Sequence, residues 1–314
     1  MKVLNLSDTT LSGAPYRASQ LFNKYSGHES RHIVWNAVIY SRVFPTDLVG
    51  ESMKKDELNY WLNWADIIHY HNRYSRQQIF KVAALPRGKK SVIQIHSPRI
   101  SEDEDNFSLE LASGIPLAVI AQYHVRQWPE LKYIVPNVVD IDDPLHKPVK
   151  KQPSKYLSFG YAPSSPNGKG WDNKSYNIVN PVLKRLELAQ RAVYNRIIGK
   201  PFVECMKIKQ KCDVGIDEIS TGSYHMASLE FLSQGVATIA GIDEQTERVV
   251  KDLTGSDTLP WMICKEKDFK LMAESLATHQ TDIKDIGVLS RLWMETYWNQ
   301  KVLCDHLLKM YEDL

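Results

Sequence analysis

Short runs rich in Val and Ile alternate with amphipathic segments of helical period along most of this chain. Lys2–Leu6, Arg31–Trp35, Asp66–Tyr70, Ser91–Ile95, Leu117–Ala121 and Lys132–Val135 read as buried strands, and 14–25, 53–64, 75–84 and 122–128 as helices between them. Strand and helix in repeated alternation imply a parallel sheet covered on both faces. From Asp140 the pattern breaks: Asp142-Asp143-Pro144 and His146-Lys147-Pro148-Val149-Lys150-Lys151-Gln152-Pro153 read as a solvated connection. The alternation then restarts. Strands are expected at Tyr156–Phe159, Asn195–Ile198, Asp213–Ile216, Val236–Ala240 and Trp261–Cys264, and helices near 179–191, 201–211, 224–234, 243–253 and 267–278. Apolar residues from Ile286 to Leu314 recur at near-helical spacing, giving one or two closing helices. The expected architecture is α/β, with two doubly wound Rossmann-like domains (1–145 and 154–290), a linker (146–153) and a C-terminal helix (291–314).

Length and composition fit that scheme. The 314 residues suffice for two domains, and 43% hydrophobic with 24% charged residues is ordinary for a globular enzyme. A net charge of +2 selects no partner, but ten Lys or Arg between Lys169 and Lys211 face only Asp172, Glu187 and Glu204. Such a run suits a phosphate-bearing ligand or a solvated helix face. Four cysteines without metal spacing point to a reducing compartment. The apolar start is too short for a signal peptide, and no stretch approaches the ~18 apolar residues of a membrane span, so a cytoplasmic protein is expected.

Two facing parallel sheets would direct ligands to the loops after their strands. The first strand runs into Ser12-Gly13-Ala14-Pro15, either a helix N-terminus open to a ligand or a plain tight turn. G-x-G-x-x-G is absent, which argues against a nicotinamide enzyme. His69, His71 and His96 fall at strand ends, as structural residues or as the wall of a polar pocket, with His96 the favoured ligand contact. An acidic loop, Glu102-Asp103-Glu104-Asp105, follows it. In the second domain Lys169 stands between Gly168 and Gly170, placed to reach a diphosphate or simply to occupy a surface turn. Further on, a strand ends in Asp217-Glu218, and the amides of Gly222-Ser223-Tyr224-His225 open a helix carrying Glu230. That helix stops at Gly235. Glu230 on an otherwise apolar helix needs a buried partner, either a ribose diol or a cation of the basic run.

At these positions the sequence resembles the retaining GT-B glycosyltransferases of the glycosyltransferase family 4 kind. Asp66-Ile67-Ile68-His69-Tyr70-His71 is similar to the family's D-[IV]-[IV]-H-x-H strand, and Pro136-Asn137-Val138-Val139-Asp140 to its P-N-G-V-D segment. Phe159-Gly160 with Lys169-Gly170 resembles F-G-x-x-x-x-K-G with extra residues between. Leu229-Glu230-Phe231-Leu232-Ser233-Gln234-Gly235 resembles L-E-A-M-A-x-G, and the last helix the family's crossover helix. The resemblance implies that Lys169 binds the donor diphosphate, Glu230 the ribose and His96 the transferred sugar, with the Gly13–Ala14 loop between donor and acceptor. It implies no metal and no cofactor beyond the nucleotide-diphosphate sugar itself. One departure stands out: the family's usual glutamate eight positions before Glu230 is Gly222 here. A variant pattern, Asp217-Glu218 ahead of Gly222-Ser223-Tyr224-His225, assigns donor-sugar contact to amides around 223–225 or to Asp217 and Glu218.

The implied reaction breaks an anomeric C–O bond with a diphosphate leaving, so catalysis is electrostatic: a lysine and helix-start amides aimed at the developing charge. Other readings stay open. They are an epimerase or phosphorylase on the same scaffold, a non-catalytic nucleotide-sugar- or glycan-binding protein, and a transferase acting on a DNA base rather than a glycan, protein or lipid-linked acceptor.

Overall fold

The computed structural model describes residues 1–39, 42–74, 78–79, 88–96, 107–128, 131–164, 166, 174–279 and 282–314. The expected 75–84 helix and the 102–105 acidic loop therefore fall wholly or mostly outside the described residues, as does Lys169. The chain divides into two compact units, one of residues 1–138 with 300–314 and one of 139–299.

In the first unit the strands are β1 (Lys2–Thr9), β2 (Glu29–Asn36), the small antiparallel pair β3 (Val38–Ile39) and β4 (Arg42–Val43), β5 (Leu48–Val49), β6 (Ile67–His71), β7 (Lys90–Ile95), β8 (Leu117–Ile120) and β9 (Tyr133–Val135). Helices α1 (Ala14–Tyr25), α2 (Lys55–Trp64), α3 (Ser108–Ala112) and, from the chain's end, α10 (Gln300–Glu312) pack around them. The seven-stranded parallel sheet runs β5-β2-β1-β6-β7-β8-β9. The helix expected at 122–128 is only a 3-10 turn, Tyr123–Arg126.

Both faces of this sheet are buried, and they differ in chemistry. Leu4, Leu6, Ile33, Ile68, Tyr70, Ile93 and Ile95 share an apolar face with Leu58 and Leu62 of α2. The alternate positions carry Asn5, Ser7, Ser30, His32, His69, His71 and Gln94, all buried. Helices α1 and α10 answer this polar face. Asn23 brackets Ser30 through both backbone groups, and the Tyr311 hydroxyl lies 2.8 Å from His69 Nδ1. Tyr311 also meets Phe22 edge-on at 5.2 Å.

In the second unit the strands are β10 (Ser158–Tyr161), β11 (Val193–Arg196), β12 (Val214–Ile216), β13 (Ala237–Ala240) and β14 (Trp261–Ile263), in the order β11-β10-β12-β13-β14. They alternate with α4 (Tyr176–Leu188), α5 (Phe202–Lys209), α6 (Met226–Ser233), α7 (Glu244–Thr254) and α8 (Phe269–Thr278), and α9 (Ile283–Tyr297) follows. The segment expected as a solvated connection is packed in its first part. Ile141 and His146 are buried, and Arg291 donates to the carbonyls of Ile141, His146 and Ser233. One charged fork thus satisfies three carbonyls that water would otherwise have to reach.

Phe159, Tyr161, Val214, Ile216 and Ile239 build one face of this sheet against Val179, Leu183 and Phe269. The opposite face carries Gly160 and Gly215, which leave room for Phe231 of α6. A Cβ on Gly160 would stand 3.0 Å from the Phe231 ring, and one on Gly215 would collide with it. Substituting Gly215→Ala is expected to lower stability by about 1–3 kcal/mol through overpacking. Urea unfolding measures this, and an unchanged midpoint would show that Phe231 yields freely.

Candidate functional site

The second sheet reverses its order of progression between β10 and β12, and a crevice for ligands opens outside the carboxyl ends of strands at such a switch point. Lys174 and Ser175, just ahead of α4, and the loop 217–225 flank it. Lys174 and Ser175 have left-handed backbones, φ 49° and 62°. Non-glycine residues hold that conformation only when their surroundings impose it. Here the Tyr161 hydroxyl donates to the Lys174 carbonyl, Ser175 Oγ accepts the Ile219 amide at 3.1 Å, and it meets Ser220 Oγ at 2.7 Å.

The 217–225 loop folds around two carboxylates, Asp217 and Glu218, both fully buried. Glu218 accepts the amides of Ser220 (3.1 Å), Thr221 (2.7 Å) and Ser223 (3.2 Å). Asp217 accepts the His225 amide and lies 3.6 Å from Lys174 Nζ and 3.3 Å from His225 Nδ1. Burial alone would push the Asp217 carboxyl up; the His225 ring, the Lys174 ammonium and the amide outweigh it and hold it at about 2. Asp217 and Glu218, expected against the sugar, are thus turned inward, and the Ser223 and His225 amides, expected to meet the donor, serve them instead. Tyr224 is a core residue, stacked on Trp261 at 4.9 Å and fully buried.

Gly222 has a structural reason to be glycine. Its φ is +81°, and a Cβ there would run into the Asp243 carboxylate. Its carbonyl accepts from the Asp243 amide (3.0 Å) and Thr246 Oγ1 (2.8 Å), which ties the loop to the start of α7. A glutamate could not stand here without rebuilding that cap.

Glu230, in the middle of α6, pairs with Lys209 Nζ at 2.5 Å, both side chains being buried. Of the two partners open to Glu230 in the sequence, a cation of the basic run is therefore in place. Lys209 also lies 5.0 Å over the Phe231 ring. The basic run divides accordingly. Lys200–Glu204 and Arg185–Glu274 are partly exposed surface pairs, whereas Lys174 and Lys209 are buried. The Lys174 side chain is only 6% exposed, and its Nζ lies 3.6 Å from Asp217 Oδ1. Burial pushes that ammonium below its ordinary range. An ammonium carries three donors, and Asp217 is the carboxylate beside this one.

The switch point of the first sheet lies between β1 and β6. After β1 the chain makes a 3-10 turn, Leu11–Gly13, with φ 44°, 56° and 81° at Leu11, Ser12 and Gly13, and Ala14 opens α1. Leu6, Ser7, Asp8, Ile33, Trp35 and Ile79 line a void of about 10 Å³, room for one water. His69 and His71 are fully buried in β6, while His96 follows β7 and is partly exposed. Burial holds His69 and His96 neutral, at about 3, and His71 well below its usual value. His71 bridges Asn5 Oδ1 and His96, 2.9 Å on each side, and stacks on His69 at 4.1 Å. Among the described residues no group of His, Cys, Asp and Glu is placed to hold a metal ion, and no helix is long and apolar enough to cross a membrane.

Sequence reasoning missed Asn5, Lys174 and Lys209 as individual residues. The two lysines sat inside a run that, as a whole, suits either a phosphate-bearing ligand or a solvated face. Asn5 carries no signal beyond being a polar residue in an apolar strand.

No family model matches the sequence, and no curated protein matches it. Solved structures do match in three dimensions. A sucrose-phosphate synthase from Thermosynechococcus elongatus superposes with a TM-score of 0.60 at 11% identity, covering 100% of this chain and 99% of that one. Anabaena HepE, solved in complex with UDP, gives 0.59 at 11% identity over 100% of both chains. A glycosyltransferase from Rickettsia africae gives 0.56 at 12% identity, covering 99% and 98%. At such identities the likeness concerns the fold, and the fold is GT-B, the two-sheet architecture of glycosyltransferases.

Proposed function

We propose that this chain is a glycosyltransferase that takes a sugar from a nucleotide-diphosphate donor, without a metal and with retention of anomeric configuration. The observation that carries this reading is the buried ammonium of Lys174, 3.6 Å from Asp217 at the switch point of the second sheet, on a GT-B fold. The UDP held by HepE supports a nucleotide donor. In this reading Lys169, by its resemblance to the family's glycine-flanked lysine, and Lys174 carry the diphosphate. Glu230 holds the ribose, with Lys209 fixing its carboxylate, and His96 contacts the transferred sugar beside the Gly13–Ala14 turn.

The chemistry follows from charge. As the anomeric C–O bond breaks, its electron pair passes to the diphosphate, and cations already in place stabilise that charge without reorganising. The acceptor hydroxyl attacks on the leaving-group face and passes its proton to the departing diphosphate, which gives retention without a protein nucleophile. A second reading, a non-catalytic nucleotide-sugar-binding protein, is favoured by one observation: the Ser223 and His225 amides are already spent on Asp217 and Glu218. Turnover separates the two readings.

UDP-, GDP- and ADP-sugars should be screened by thermal unfolding, where a ligand at ~100 times its dissociation constant adds about 2.7 kcal/mol. At least one is expected to stabilise the protein and to be slowly hydrolysed; stabilisation by none overturns the proposal. Lys169→Ala is expected to reduce turnover by ~10²–10³ while the melting curve stays in place. Glu230→Ala strands Lys209 as a buried lone charge and should cost about 3–5 kcal/mol. Pairing Lys209→Met with Glu230→Gln should recover most of that loss in urea unfolding. Nucleoside-diphosphate affinity should stay at least ~10-fold weak in the double variant, a difference of about 1.4 kcal/mol. Wild-type affinity in the double variant would remove Glu230 from the ribose site.

A further inference from the structure

The hydrogen bonds on the polar face of the first sheet fix where the protons of two histidines sit. Asn5 Nδ2 donates to Ser30 Oγ at 2.9 Å and to the Arg31 carbonyl at 3.4 Å. A carbonyl cannot donate, so the amide's NH₂ must point that way and its Oδ1 toward His71. Oδ1 only accepts, so His71 Nε2, 2.9 Å away, carries the hydrogen. A neutral imidazole has one N–H, which leaves His71 Nδ1 as a lone pair. That lone pair faces His96 Nε2 at 2.9 Å, so His96 Nε2 must be the donor. The remaining nitrogen, His96 Nδ1, is then bare.

Burial keeps both rings neutral, and between neutral rings the relay admits only this pair of tautomers. The His96 amide donates to Asn72 Oδ1 at 2.7 Å, which pins the residue just past the end of β7. Among the described residues its Nδ1 has no hydrogen-bond partner, and the ring is partly exposed.

We propose that Asn5 and His71 are positioning residues that hold His96 as a hydrogen-bond acceptor at Nδ1, so that this ring takes a carbohydrate hydroxyl. A bare nitrogen faces a phosphate oxygen lone pair to lone pair and repels it, whereas a hydroxyl donates to it. The inference rests on the glycosyltransferase reading for the identity of the ligand and on the relay for everything else. It assigns His96 to reading the sugar and excludes it from neutralising the diphosphate.

Nitrogen-15 spectra of the histidine side chains in the ligand-free wild-type protein test the relay without any substrate. Between pH 6 and 8 His96 should show a single tautomer, hydrogen on Nε2 and none on Nδ1. The opposite tautomer, or an imidazolium at pH 6, overturns the proposal. His71→Phe keeps a flat ring on His69 and removes both nitrogens. It should leave His96 in mixed tautomers and lower kcat ~10-fold or more on the nucleotide sugar that gives the largest thermal shift, with KM for that donor changing less. Asn5→Val, which removes the acceptor at the far end, should act in the same direction and serves if His71→Phe fails to fold. A single wild-type tautomer combined with unchanged kcat in folded variants overturns the positioning role. The expected spectrum in a protein that binds no nucleotide sugar overturns the glycosyltransferase reading, and with it the sugar hydroxyl as ligand.

Discussion

Two carboxylates buried side by side at the end of a strand set the terms for the second unit. Asp217 and Glu218 have no water to turn to, and an ionised carboxylate left unanswered in such a place costs several kcal/mol. The chain answers by wrapping residues 220–225 into a cradle of amides and by drawing Lys174 inward. The positive φ of Gly222, the start of α6 and the strained backbone at 174–175 all follow from that wrapping. The carboxyl end of the second sheet at its switch point is therefore shaped by internal charge.

The sheet elements were legible because Val- and Ile-rich runs bounded by turns leave few alternatives in an alternating pattern. Lys2–Leu6 and Ser91–Ile95 fall within β1 and β7, and 14–25 coincides with α1. Tyr123–Arg126 shortened to a 3-10 turn, a distinction that composition does not encode. Burial on both faces was expected, but not the pairing of the polar positions: α1 and α10 close over Asn5, His32 and His71. Glu230 was recognised as needing a partner, while the choice of Lys209 among ten cations required the fold. Tyr224 looked like part of a ligand loop because its neighbours are small and polar, and only the packing of Trp261 against it reveals a core residue.

The first sheet shows what a buried polar layer does for specificity. An apolar face tolerates small shifts in register, because one methyl contact replaces another. A face of amides, hydroxyls and imidazoles does not, since each donor has one acceptor it can reach. Ser7 with His32 at 2.9 Å, Asn5 with His71 and His69 with Tyr311 each tie one element to the next by a bond of fixed direction.

The last of these ties has a consequence for biogenesis. Tyr311 closes a sheet whose first strand begins at Lys2, whereas every residue of the 139–299 unit is made before α10 exists. During synthesis the central unit can complete its core while the one that starts the chain still waits for its final helix. In that interval the stacked imidazoles of β6 stand without their hydroxyl partner.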